Sequence, residues 1–441
     1  MDTERTLVPA VRSALAGACP ALVSGTGSDA VGGLVPSFVA SPSSTAEAAA
    51  LLRASAAAGL AVVPRGAGTG LSWGAPPARC DLVVDMRAMD QVLEHAAGDL
   101  VARVQAGVTI GQLAAVLASA SGSGQELALD VPAEATVGGM VATGTAGPRR
   151  FRYGAPRDLL IGLTVVRADG VIAHSGGKVV KNVAGYDIGK LFSGSQGTLG
   201  LVTEATFRLH PRPGAVAWVT AEFGPDEPAD ACAAAAAAVA SAAGSKLVPS
   251  AVELDWPGGS HRPLRVGVLL EGTPSGVAER ARQMSSLLAA AGGSAGVLDS
   301  APARWGALPE SALVVRVSFW VSALGSVLDA LAAAAADAQV RPAVSGPAGA
   351  GALYACLDPG VSDEAAVRFV AVLRERLLRG SPMGAQGLRV GVAVLAASPQ
   401  VLAAAGAYGP VPGAALMRAV KDQFDPEHRM FPGRLAFAGG D

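Results

Sequence analysis

Between residues 41 and 70 the order of polar and apolar positions changes period twice. "SPSSTAEAAALLRASAAAG" opens on Ser and Thr cap candidates, runs through helix formers and stops at Gly59. "LAVVPRG" then reads as a short strand, and it empties into the glycine-rich "PRGAGTGLSWG" of residues 64–74. Further on, "GTLGLVTEATFRL" has the alternation of a strand. Beyond residue 213 the pattern repeats itself in two similar halves. The strand candidates are "AVAWVTAEF", "LRVGVLLEG", "ALVVRVSFWV" and "GLRVGVAVL"; Ala-rich helices near 229–243, 275–291, 323–337 and 363–378 separate them. That alternation predicts an α/β region of two ferredoxin-like units.

A glycine-rich loop after a strand first suggests a Rossmann dinucleotide site, and Asp85 lies roughly twenty residues on, where a ribose-binding acid is expected. That reading fails on chemistry. A Rossmann loop runs straight into the helix whose N-terminus holds the pyrophosphate. Here Ser72, Trp73, Gly74, Ala75, Pro76 and Pro77 follow, and two prolines with a glycine do not continue a helix. An anion would instead be held by a nest of backbone N–H groups from Gly66, Ala67, Gly68, Thr69 and Gly70.

Composition narrows the picture further. A chain of 441 residues is long enough for two or three domains, and 34 Lys+Arg against 36 Asp+Glu carry no signature of a nucleic-acid partner or polybasic anchor. Mean hydropathy is high at +0.40. The longest apolar stretch, 231–245, is nevertheless mostly alanine and short of the ~20 residues of a membrane span. The N-terminal "MDTERTLVPAVRSALAG" lacks the order of a signal peptide, and the cysteines at 19, 80, 232 and 356 have no metal or disulfide spacing. A cytoplasmic location is expected, with no bound metal.

The glycine loop resembles the pyrophosphate-binding loop of the vanillyl-alcohol-oxidase/PCMH family of FAD flavoproteins, and other marks follow in the family's order. "LVVDMRAMDQVLEHAAGDLVARVQAGVTIGQLAAVLA" resembles the succeeding strand, helix and strand. "DVPAEATVGGMVATGTAGPRRFRYGAPRDLLIGLTVVRADGVI" resembles the second glycine-rich flavin segment. "GGKVVKNVAGYDIGKLFSGSQGTLGLVTEATFRLHPRP" and the closing "VKDQFDPEHRMFPGR" are nearest to the FAD-binding, E-type subunits of glycolate oxidases. The resemblance covers roughly residues 35–213 and 418–435.

It implies an α+β protein. A PCMH-type FAD-binding domain of two α/β subdomains would occupy 1–213, an α/β cap of ferredoxin-like units 214–413, and a return to the FAD domain 414–441. By resemblance, Pro64, Arg65, Gly66, Ala67, Gly68, Thr69, Gly70, Leu71 and Ser72 form the cofactor loop. Pro132, Thr136, Gly138, Gly139, Ala142 and Thr143 lie by the ribityl and ring region, and Gly147 and Tyr153 are also expected to bind the cofactor. Gly194, Ser195, Gly197, Gly200 and Val202 lie by the pyrophosphate and adenine, Val202 through its backbone. Lys181, Asn182 and Tyr186 order a loop against the cofactor. Arg434, followed by His428 and Lys421, is the candidate cation at the flavin edge, where it would stabilise the reduced ring. Many relatives carry a covalently bonded histidine where Thr69 stands, so a non-covalent FAD is expected.

One departure matters. Flavin dehydrogenases of D-2-hydroxy acids carry an H-x-G-D-G-N motif in the cap, absent here; the only cap histidine is His261 in a turn-like stretch. The resemblance therefore implies a flavoprotein working with others, namely a larger FAD-dependent hydroxy-acid dehydrogenase subunit and an iron–sulfur subunit. A small 2-hydroxy acid would be the substrate, and any membrane contact would be peripheral, at the inner face, through partners. A non-catalytic flavin scaffold and a stand-alone sugar-acid or aldonolactone oxidase are the alternatives.

Overall fold

Residues 2–119, 124–178, 186–224, 228–257, 263–307, 311–379 and 390–435 are described by a computed structural model. Among the described residues the chain divides into two units: 2–146, 154–212 and 413–435 form the first, and 147–153 and 213–412 the second.

The first unit holds two α/β layers, as expected. A four-stranded sheet runs in the order Leu22–Ser24, Phe38–Ala40, Leu82–Asp85, Val62–Arg65, with its last three strands parallel. Helix Thr45–Ala57 makes the crossover; Ser44 caps it by accepting from Glu47 N–H, and it gives out before Gly59 at φ +62°. Leu51, Leu52, Val62, Leu82 and Val84 are buried between helix and sheet. An antiparallel sheet of five strands follows, ordered Val92–Ala96, Val101–Gln105, Gly200–Arg208, Leu160–Arg167, Ile172–Gly176. Helix Val137–Thr143 packs Met140 and Val141 into the same core as Val104, Val165 and Phe207.

In the second unit one continuous antiparallel sheet has eight strands. They run in the order Ser294–Leu298, Ala215–Phe223, Leu264–Gly272, Ala251–Trp256, Ala343–Gly346, Ala352–Leu357, Leu313–Phe319, Val390–Ala396. Each half is strand–helix–strand–strand–helix–strand, so the two ferredoxin-like units are present. The halves join where Leu254, Asp255 and Trp256 pair with Gly346, Ser345 and Val344.

Alternation decides which sheet face is covered. Val219, Ala221 and Phe223 on one strand and Val266, Val268 and Leu270 on its neighbour point into the core formed with helices Pro228–Ala243, Pro274–Ala290, Leu324–Asp337 and Asp363–Arg379. Thr220, Glu222, Glu253, Asp255 and Arg265 occupy positions of the other parity, and they line a cavity of about 240 Å³.

Candidate functional site

The first unit contains an open cleft with a cavity volume of about 90 Å³. Three segments line it: Pro64 to Leu71; Thr136, Gly138, Gly139, Ala142 and Thr143; and Ser195, Gly197, Gly200 and Val202. All of these are among the residues expected at the cofactor. Segments distant in sequence are thus brought to one place by the parallel strand Val62–Arg65, the helix Val137–Thr143 and the strand Gly200–Arg208.

The local reasons are legible. After Arg65 the chain makes two successive turns, with Leu71 N–H donating to Gly68 O at 3.0 Å and Trp73 N–H to Gly70 O at 3.2 Å, rather than a helix. A Cβ on Gly66 would stand 2.1 Å from Thr136 Oγ1, the atom that caps helix Val137–Thr143 by accepting from Gly139 N–H. Only glycine lets the loop lie against that cap. Gly68 has φ +84° with no atom within 4 Å of where its Cβ would be, so the space beside its backbone is left for something else. A glycine-rich wall beside open space suits a bulky phosphate-bearing cofactor, and the residues present fit FAD.

Other expected residues lie elsewhere. Ser72 lies inside the second turn but does not line the cleft. Pro132 uses its carbonyl to accept from Ala135 N–H, closing the turn that leads into the Thr136 cap. Gly194 donates its N–H to Val141 O, supporting the helix rather than lining the cleft. Gly147 and Tyr153 belong to the second unit, where Tyr153 donates its hydroxyl to Glu271 Oε2 at 2.9 Å. Tyr186 is 96 % exposed, because its neighbour Asp187 is taken up as the N-cap of helix Ile188–Phe192 and leaves it outside. Lys181, Asn182 and His261 lie outside the described residues. Sequence reasoning missed Met86, Ala106, Gln196, Leu201 and Phe431, which also line the cleft. All five lie inside the stretches quoted for the resemblance, Phe431 in "VKDQFDPEHRMFPGR" and Gln196 in "SGSQGTLG", but nothing in those stretches singled out their side chains.

The C-terminal segment reaches the cleft differently from the expectation. Arg434 is 2 % exposed, lines the cleft, and donates to Gly70 O at 2.9 Å, Leu71 O at 3.1 Å, Ala75 O at 3.3 Å and Gln196 Oε1 at 2.9 Å, with its guanidinium over the Phe431 ring. These donors grip the loop itself. His428 is not at the cleft: its half-exposed ring pairs with Asp422 at 3.0 Å, on the turn after helix Ala414–Phe424. Lys421 is a bracket. Its ammonium donates to Thr198 O at 2.7 Å, to Met430 O at 2.9 Å and to the fully buried Asp425, and burial pushes its pKa down against the pull of that carboxylate.

Charge at the strand end is also fixed. Arg65 bridges Asp29 and Asp85, each at 3.0 Å, and Arg87 donates to Asp85 as well. Burial works to raise the Asp85 carboxyl, but the hydrogen bonds from Arg87 and Arg65 together hold it below the ordinary range. Asp85 is thus an ion-pair anchor, consistent with excluding the Rossmann reading.

In the cavity of the second unit, Glu222 accepts from Arg265 at 2.7 Å and Asp255 faces Arg304 at 3.5 Å. Burial raises the Asp255 pKa, and Arg304 and Arg265 oppose it. Trp305 also lines the cavity, its ring against Gly267: a Cβ there would be 2.9 Å from Cζ3. No helix among the described residues is long and apolar enough to cross a membrane.

Comparison with known proteins agrees with this geometry. Residues 36–176 match the family model described as FAD binding domain. The protein named Glycolate oxidase subunit GlcD, from Bacillus subtilis (strain 168), is 37 % identical over 231 residues, which is 51 % of this chain and 46 % of that one. A D-lactate dehydrogenase of Archaeoglobus fulgidus is 41 % identical over 175 residues, 40 % of this chain and 39 % of that one. The chain therefore aligns with less than half the length of these relatives. Among solved structures, p-cresol methylhydroxylase with substrate bound superposes with a TM-score of 0.72 at 16 % identity, covering 97 % of this chain and 96 % of that one. The 4-ethylphenol oxidase of Gulosibacter chungangensis gives 0.73 at 15 %, covering 97 % of each.

Proposed function

We propose, from the premise that this chain carries an FAD-binding domain on the fold of the VAO/PCMH-type flavoproteins, that it is the FAD-binding subunit of a glycolate oxidase-like oxidoreductase of small 2-hydroxy acids. The observation that carries the reading is the convergence of the glycine loop, helix Val137–Thr143 and the start of strand Gly200–Arg208 on one cleft. Relatives named for glycolate and D-lactate support the substrate class. When bound, FAD supplies a two-electron acceptor for oxidation of a CH–OH group.

In this reading the chain's residues hold and exclude. Backbone groups of Gly66 to Gly70 face the diphosphate, Thr136 to Thr143 line the ribityl and ring portion, and Val202 meets the adenine. Thr69, standing where a covalent histidine would, leaves the flavin dissociable. No residue of the chain's own is assigned the abstraction of the hydroxyl proton, because the cap sequence lacks the H-x-G-D-G-N pattern; that step belongs to a larger hydroxy-acid dehydrogenase subunit, with an iron–sulfur subunit carrying electrons onward. A cytoplasmic complex, touching the inner membrane face only through partners, completes the proposal.

The experiment is an anaerobic absorbance spectrum of the purified chain before and after acid precipitation, then after addition of glycolate or D-lactate. Yellow flavin released to the supernatant is expected. Bleaching near ~450 nm in the isolated chain would assign it the oxidation itself; bleaching only with partners present is the outcome this reading expects. No flavin after reconstitution with FAD would end it.

A further inference from the structure

We infer that the C-terminal segment 429–434 is a latch that pre-shapes the glycine loop, with Arg434 as its positioning residue. The inference rests on the cofactor reading above and extends it to how affinity is set. The loop from Gly66 to Thr69 is short and glycine-rich, so left alone it would lose much conformational freedom on binding. Both of its ends are held by the same segment. On the strand side, Val62 N–H donates to Arg429 O at 2.8 Å and Phe431 N–H donates to Val62 O at 2.8 Å. On the far side, Arg434 donates to the carbonyls of Gly70, Leu71 and Ala75, and Ala78 N–H donates to Pro432 O at 2.8 Å.

The latch has its own support. Asp425 accepts from Arg429 N–H at 3.1 Å and Met430 N–H at 2.7 Å, and Arg429 reaches Ala168 O at 2.7 Å and Leu60 O at 3.3 Å. Gln196, whose own N–H donates to Ala142 O at 2.7 Å, receives Arg434 Nε. The latch thus ties the glycine loop to the second and third walls of the cleft. The planar guanidinium fork holds several carbonyls in a fixed geometry, whereas an ammonium on a flexible stem is a point donor.

The test is made on the full chain, with Arg434→Lys, Arg434→Met and the milder Gln196→Ala. Backbone hydrogen exchange of the flavin-free protein is measured across residues 66–75, and affinities for FAD, ADP and riboflavin are titrated. The variants should exchange these loop amides roughly tenfold faster or more and bind FAD and ADP about ten- to a hundredfold more weakly, with riboflavin, which lacks the diphosphate, unchanged. Unchanged loop exchange in the variants overturns the latch whatever happens to FAD. Faster exchange with undiminished FAD affinity overturns its link to the cofactor, and equal weakening of riboflavin reduces Arg434 to a general structural part. If Arg434→Met does not fold, Gln196→Ala carries the same decision. A wild-type chain that binds no FAD would end the reading under Proposed function, and loop exchange alone would then decide the latch.

Discussion

Replacing Asp425 with alanine is the sharpest probe of how the C-terminal return is fastened. Its carboxylate is fully buried and accepts from two backbone N–H groups, those of Arg429 and Met430, and from the Lys421 ammonium. Alanine leaves two orphaned N–H groups, each costing about 1–3 kcal/mol, and a buried cation without its counter-charge. Breaking a buried pair costs about 3–5 kcal/mol by itself, and because these losses share one site they do not simply add. A total of about 3–5 kcal/mol is therefore expected, or a fall of roughly 6–20 °C in the melting of the first unit. Scanning calorimetry at neutral pH measures it, with Asp422→Ala as control: that carboxylate is half exposed and pairs with the half-exposed His428, so it should shift melting by about 0.5 kcal/mol or less. The double variant Lys421→Met with Asp425→Ala should lose less than the sum of the two single changes. Equal melting for Asp425→Ala and Asp422→Ala would refute the assignment of Asp425 as the hub.

The other expectations are narrower. Gly68→Val should purify without flavin while losing only about 1–2 kcal/mol to backbone strain, whereas Gly59→Val, at a similarly positive φ with equal room but away from the cleft, should carry the same strain and keep its flavin; flavin-to-protein absorbance ratios decide. Asp255→Asn should raise melting at neutral pH. The raised Asp255 pKa means that the folded protein holds that proton more tightly than the unfolded chain, so ionisation costs stability above the folded pKa; the gain from asparagine should fade as pH falls through it. A gain that persists unchanged in acid would show that burial of the charge is not the cause.

What could be read beforehand, and what could not, divides on a physical line. Strands Ala215–Phe223 and Leu264–Gly272 were visible end to end, because one face of each is continuously apolar against the helices. Ala251–Trp256 was missed. Val252, Leu254 and Trp256 do alternate with Glu253 and Asp255, but the run is only six residues long and two of them are acidic, so it is passed over. Ser294–Leu298 and Ala343–Gly346 are too short and glycine-bearing to signal themselves. At the cleft, the glycines announced where backbone must come close. The work of Arg434 was hidden because its partners are mostly main-chain carbonyls, which every residue possesses. His428 and Tyr186 looked chemically able, but reactivity of a side chain says nothing about the direction in which a turn or a capped helix will send it.

The seam of the eight-stranded sheet has one more meaning. Two βαββαβ halves meet edge to edge through Leu254–Gly346, Asp255–Ser345 and Trp256–Val344, in the antiparallel manner of an isologous dimer contact, and their helices share one apolar core. The second unit is in effect a dimer interface written into a single polypeptide, with the connection after Leu298 serving as tether. Severing that tether before Leu313 would leave two fragments, each with an unsatisfied strand edge and a stripped apolar flank whose natural complement is the other. The covalent join therefore supplies local concentration more than it supplies shape, and the two pieces, co-expressed, would find each other along that three-residue hem.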